Sequence, residues 1–193
     1  MFIKDWKKDV LTIPNMLSLF RLVLIPVYIV IYLNATTARE YFLAGTILAV
    51  SCLTDMIDGQ IARHFNMISN VGKVLDPLAD KLTQLALTIC LSIKYPILRS
   101  VLVLFVAKEA FQTLALVVMY RRGKVLPGSL IPGKLCTSVL FLSFILMVLI
   151  PDLNIRLINV IAILDAAFLV YAFIGYFLAY FGKHPKLQDF EES

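Results

Sequence analysis

Histidine and cysteine are scarce in this chain, with two and three residues respectively. Cys52, Cys90 and Cys136 are scattered through apolar stretches without paired spacing, which excludes a disulfide framework and a zinc site and leaves packing as their role. Charged residues make up only 16% of the sequence. Low-complexity segments and strong internal repeats are absent, so nothing points to a transporter assembled from inverted repeats. No small-residue cleavage pattern follows the first apolar run, which predicts a retained helix and not a signal peptide.

Hydrophobic residues fill the chain instead. They account for 60% of its 193 residues, and the mean hydropathy is +0.87, far above that of a soluble domain. Apolar runs at 14–33, 38–58, 74–93, 97–120, 135–150 and 155–181 each approach the ~20 residues that span a bilayer. The expected fold is an all-α integral membrane protein with six transmembrane helices in one domain, residues 13–182, followed by a cytoplasmic tail at 183–193. Ahead of them, residues 1–12 place Phe2, Trp6 and Val10 on one helical face and Lys4, Lys7 and Lys8 around the other. That pattern predicts a short amphipathic helix on the membrane surface, with a frayed polar tail as the competing reading.

Basic residues orient the spans. Lys4, Lys7, Lys8, Arg63, Lys73, Arg121, Arg122, Lys124, Lys134, Lys183 and Lys186 lie in the termini and the second and fourth loops, and only Arg39, Lys94, Arg99 and Arg156 in the others. The bias predicts cytoplasmic termini. The net charge of +5 is dispersed over several loops, which suits anionic headgroups and argues against nucleic acid.

Against this apolar background stand four carboxylates, Asp55, Asp58, Asp76 and Asp80. One aspartate at a helix centre costs ~2.5–3.5 kcal/mol on insertion scales, so the group needs compensation, and bound cations supply it. Asp55, Asp58, Gly59 and Ala62 fall at i, i+3, i+4 and i+7, one helix face; Gly72, Asp76 and Asp80 recur every four residues along another. Two helices joined by a short polar turn would present facing acidic stripes. Oxygen ligands without histidine or cysteine favour hard cations such as Mg2+ or Mn2+.

Other positions carry two readings each. Pro14 and Asn15 open the first span and Pro26 is expected to kink it. Arg21, about two turns in, can snorkel to the surface or turn inward to an anionic ligand. Pro77 either starts the third helix or kinks it. The basic, Gly- and Pro-rich segment from Arg121 to Lys134 is either a plain cytoplasmic loop or a rim that gathers a phosphate, with Lys134 at the head of the fifth helix best placed to do so. Asp165, deep in the last span, pairs with a basic side chain or lines a cavity.

Asp55, Asp58, Gly59, Ala62, Arg63, Gly72, Asp76 and Asp80 match D-x2-D-G-x2-A-R-x8-G-x3-D-x3-D, and on these positions the chain resembles the CDP-alcohol phosphatidyltransferases, in particular the bacterial phosphatidylglycerophosphate synthase branch. The Pro-Asn opening of the first span, the helix count and the length look alike too, although only the motif is sharp. The resemblance implies transfer of a phosphatidyl group from CDP-diacylglycerol to an alcohol, with release of CMP. It also implies two divalent ions on Asp55, Asp58, Asp76 and Asp80, with Asp80 as candidate general base. Asp58, Gly59, Ala62, Arg63 and Gly72 would receive the donor nucleotide, the small residues letting a cytidine ring lie against helix backbone; close packing of two helices is the competing explanation.

Relatives that use glycerol 3-phosphate commonly carry an Arg-Glu pair and a further arginine on the fourth helix. This chain has Lys108-Glu109 and then Leu116, with Gly133-Lys134 at the fifth helix. Glycerol 3-phosphate is the expected acceptor, its phosphate bound by Lys108, Lys134 and Arg121. Local pairing with Glu109 is the alternative for Lys108. Phosphatidylglycerol, giving cardiolipin, is the rival acceptor, and a cation transporter is the reading from another class. A homodimer in a bacterial plasma membrane is the expected state.

Overall fold

The computed structural model describes residues 12–64, 72–125, 130–150, 152–181 and 188–189. Within them lie six long helices: α1 (Ile13–Asn34), α2 (Ala38–His64), α3 (Gly72–Lys94), α4 (Leu98–Arg121), α5 (Ile131–Leu149) and α6 (Ile155–Phe181). The interfacial helix expected over residues 1–12 falls almost wholly outside the described residues, as does the turn expected between the acidic stripes.

Local chemistry explains the helix ends. Pro14 occupies the first turn of α1, where its missing N–H is not needed. Thr37 and Glu40 form a capping box at the start of α2: the Thr37 backbone N–H donates to Glu40 Oε2 at 2.9 Å and the Glu40 N–H to Thr37 Oγ1 at 3.4 Å. Asn154 Oδ1 accepts the Arg156 N–H at 2.9 Å and caps α6. After α4, Gly123 takes a left-handed φ of 72° and the chain reverses.

Two expectations shift. α5 begins at Ile131, four residues before the apolar run, because Pro132 is tolerated in a first turn and the Lys134 N–H bonds to the Leu130 carbonyl at 3.1 Å. α3 begins at Gly72 and continues through Pro77. The described residues are also not wholly α: β1 (Lys124–Val125) pairs antiparallel with β2 (Gln188–Asp189), the latter in the segment read as a tail. Two-residue strands carry no hydrophobic period that a sequence can signal.

Among the described residues four helices are long and apolar enough to cross a membrane: Asn15–Asn34 of α1, α4, α5 and α6. With 27 and 23 residues α2 and α3 are long enough too, but they carry the motif charges. The chain is a membrane protein whose surface bears out the hydrocarbon environment, since Val23, Phe42, Val103, Leu142 and Ile163 are exposed while several polar side chains are buried.

The chain divides into two compact units. The first, residues 1–90 with 148–151, holds α1, α2, most of α3 and the end of α5. Its core contains Tyr28, Leu48, Ala79 and Leu87, and Tyr28 stacks on Tyr32 at 5.6 Å between centroids. Gly45 allows close helix contact here, since a Cβ would stand 2.6 Å from Leu149 Cδ2. The second unit, residues 91–147 with 152–193, packs α4 against α6 and buries Leu98, Val101, Phe144, Ile158 and Leu169. Cys90 in the first and Cys136 in the second are buried free thiols, in keeping with packing roles.

Candidate functional site

In the first unit α1 and α3 meet through polar side chains. Asn15, Ser18 and Arg21 recur every three residues on α1 and are all buried, at 1%, 0% and 2% exposure. Ser18 Oγ donates to Asp76 Oδ1 and Arg21 Nη1 to Asp80 Oδ1. Arg21 therefore turns inward, and the anion it meets is a carboxylate of the motif. Insertion at depth costs an arginine ~2.5–3.5 kcal/mol, and a hydrogen bond to a charged group returns ~1.5–3 kcal/mol of it. Asp80 itself keeps a side chain 52% exposed. Arg21 thus orients a carboxylate that is about half exposed.

The remaining motif residues divide by what the structure describes. Gly72 is buried at the head of α3. Asp55, Asp58, Gly59, Ala62 and Arg63 all lie on the helical backbone of α2, which gives them the one-face spacing read from the sequence; their side chains are outside the described residues. Among the described residues no three His, Cys, Asp or Glu side chains cluster for a metal. Asp76 and Asp80 fit a hard cation in chemistry, being carboxylates on successive turns of one helix that are already oriented by neighbours. Asn15 was read from the sequence only as part of the helix start and Ser18 was not singled out, although polar residues at i and i+3 before Arg21 in an apolar helix were a usable signal.

The second unit holds the residues expected to bind an acceptor. Lys108 is buried, at 4% exposure. Its ammonium pairs with Glu109 Oε1 at 2.5 Å and stands 5.8 Å from the centroid of the Tyr176 ring. The local pairing weighed against phosphate binding is thus the contact present. Arg121, the last residue of α4, and Lys134, in the first turn of α5, are exposed. Among the described residues the ion-pair and cation–π partners of Lys108 are Glu109 and Tyr176.

Asp165 corrects its expectation. It is fully buried and, among the described residues, its hydrogen-bond partner is a serine and not a basic side chain. Its carboxyl oxygens lie 3.0 and 2.8 Å from Ser143 Oγ of α5, a hydrogen bond between two helices in hydrocarbon.

The chain is thus an α-helical membrane protein in which a buried serine and arginine of one helix hold two carboxylates of another. Comparison with known proteins narrows this. The family model described as CDP-alcohol phosphatidyltransferase matches residues 11–178, and the chain belongs to that family. Among similar curated proteins is a Rickettsia typhi CDP-diacylglycerol--glycerol-3-phosphate 3-phosphatidyltransferase, 40% identical over 80 residues, covering 41% of this chain and 44% of that protein. A cardiolipin synthase (CMP-forming) of Streptomyces coelicolor is 33% identical over 116 residues, 59% of this chain and 54% of that one. A Schizosaccharomyces pombe cardiolipin synthase (CMP-forming) / mitochondrial hydrolase fusion protein is 37% identical over 124 residues, 63% of this chain and 19% of its own length. The matches span from a fifth to about half of these relatives.

Proposed function

We propose that this protein transfers the phosphatidyl group of CDP-diacylglycerol to an alcohol with release of CMP, and that the acceptor is glycerol 3-phosphate. The observation that carries the reading is the pair of α3 carboxylates, Asp76 and Asp80, oriented by Ser18 and Arg21 within a chain that has the complete family motif. The acceptor hydroxyl oxygen forms a bond to the phosphorus that bears diacylglycerol, the bond from that phosphorus to the CMP oxygen breaks, and CMP leaves with the electron pair. Asp80 takes the hydroxyl proton on its open side while Arg21 keeps the carboxylate turned toward the reacting oxygen. Divalent ions, Mg2+ or Mn2+, when bound by Asp55, Asp58, Asp76 and Asp80, neutralise the diphosphate and raise the acidity of the hydroxyl. Gly59, Ala62 and Gly72 leave room for the cytidine and Arg63 contacts the donor phosphates.

The domain runs over residues 13–182 with six spans, both termini face the cytoplasm of a bacterial cell, and the protein works as a homodimer. Lipid tails then remain in hydrocarbon while the headgroup reacts at the cytoplasmic boundary. Lys108, Lys134 and Arg121 receive the acceptor phosphate, which requires Lys108 to exchange Glu109 for its ligand. Phosphatidylglycerol is the second acceptor to test, because proteins named cardiolipin synthase are among the relatives that this chain resembles. Mass analysis of the lipid product, with glycerol 3-phosphate and phosphatidylglycerol offered separately, decides between them. Phosphatidylglycerophosphate supports the first reading; cardiolipin with no phosphatidylglycerophosphate overturns it in favour of the second.

A further inference from the structure

Tyr176 of α6 touches both elements to which acceptor binding has been assigned. Its ring lies under the Lys108 ammonium, 5.8 Å from centroid to Nζ, within the range of a cation–π contact. Its hydroxyl edge fills the place of a side chain at Gly133: a Cβ built there would meet Tyr176 Oη first, then Cε2 at 2.9 Å and Cζ at 3.0 Å. The neighbouring Gly175 lies close to Pro132 as well, whose Cγ would be 3.0 Å from an added Cβ. Two successive residues of α6 thus seat the first turn of α5, and Lys134 follows directly. The tyrosine is itself held, 5% exposed, among Ala115, Met119, Tyr180 and Phe111.

We propose that Tyr176 is a positioning residue for the acceptor phosphate. One rigid side chain holds the Lys108 ammonium on its face and fixes, through its hydroxyl edge against Gly133, where α5 begins and where Lys134 projects. It touches neither donor nor acceptor; it sets the two lysines. Glycine at 133 is then a requirement of this contact, because any Cβ would push the start of α5 away from the ring. The inference rests on the acceptor assignment of Lys108 and Lys134 and deepens it.

Steady-state kinetics of the full chain with CDP-diacylglycerol and glycerol 3-phosphate test it. Tyr176→Leu, which removes the ring, is expected to raise the glycerol 3-phosphate KM about tenfold, with kcat and the CDP-diacylglycerol KM changed by less than about twofold. Tyr176→Phe, which keeps the ring on Lys108 and the Cε2 and Cζ atoms beside Gly133, raises the glycerol 3-phosphate KM less than Tyr176→Leu does. Gly133→Ala raises the same KM, and Tyr176→Phe in that background restores part of the loss by removing the nearest colliding atom. This pair keeps the test open should Tyr176→Leu fail to fold. A Tyr176→Leu or Gly133→Ala protein with an unchanged acceptor KM, in a series where Lys108→Ala and Lys134→Ala raise it, overturns the role of Tyr176 alone. Lysine variants that leave the KM unchanged, or a parent protein without turnover on glycerol 3-phosphate, overturn the acceptor assignment and this inference with it.

Discussion

Asp80 has the two properties a proton acceptor needs, an oriented carboxylate and open access. Arg21 holds one oxygen, and about half of the side chain remains exposed. Replacement by asparagine keeps an oxygen for Arg21 and so keeps the α1–α3 contact, while removing the base. Asp80→Asn is therefore expected to fold like the parent and to lose ~10²–10⁴ in kcat. In the proposed function Ser18 and Arg21 act through the carboxylates they hold. Partners of ligating groups typically contribute 10–100-fold to metal affinity. Ser18→Ala and Arg21→Gln should accordingly weaken Mn2+ binding about tenfold, measured by electron paramagnetic resonance of the free ion in the absence of substrates. Unchanged Mn2+ affinity in both would remove α1 from the site. At this scale the sequence revealed the carboxylates, through their cost and spacing, and left Arg21 between two orientations. A snorkelling arginine and an ion-paired one look the same until the neighbouring helix is known.

Helix boundaries followed from their local chemistry where that chemistry was strong. α6 occupies the residues of its apolar run, Ile155–Phe181, with Asn154 as cap. α5 was legible only in part because its first turn, Ile131 to Lys134, contains Pro and Gly, which read as loop until Pro132 is seen to occupy a position that tolerates it. The strand pair after α4 was invisible for lack of periodicity. Helix pairing also explains Asp165, which sequence could mark only as anomalous. With Ser143 removed, its carboxyl is buried without that partner. Ser143→Ala should destabilise the protein by ~1–3 kcal/mol, read as a lower midpoint in thermal unfolding in detergent. The double variant Ser143→Ala/Asp165→Leu, which removes both ends of the hydrogen bond, should recover most of that loss. Recovery failing in the double variant would mean that Asp165 has a role beyond its serine.

The whole molecule is legible in the sequence as a membrane protein because apolar runs recur at bilayer length, yet two of the six helices fail a simple hydropathy reading for the same reason that they matter: α2 and α3 carry the motif. Their crossing of the membrane is tested by topology. Single cysteines placed at Thr36 and at Ser69, before and after α2, in a background with Cys52, Cys90 and Cys136 replaced, should label from opposite sides of sealed vesicles, the second from the cytoplasmic side. Labelling of both from one side would contradict six spans with cytoplasmic termini. The family motif also separates the readings by class, since an ion path requires carboxylates but has no use for the Gly-Ala-Arg positions 59, 62 and 63 of a nucleotide site.

The most direct measurement of the central claim is CMP release by the purified chain supplied with CDP-diacylglycerol, Mg2+ and glycerol 3-phosphate, run beside Asp80→Asn. Turnover by the parent that chelation by EDTA stops and that falls at least about a hundredfold in the variant is the predicted result. A folded parent that releases no CMP, or a variant that releases it at the parent rate, would contradict the account of Asp80 as the base in a phosphatidyl transfer.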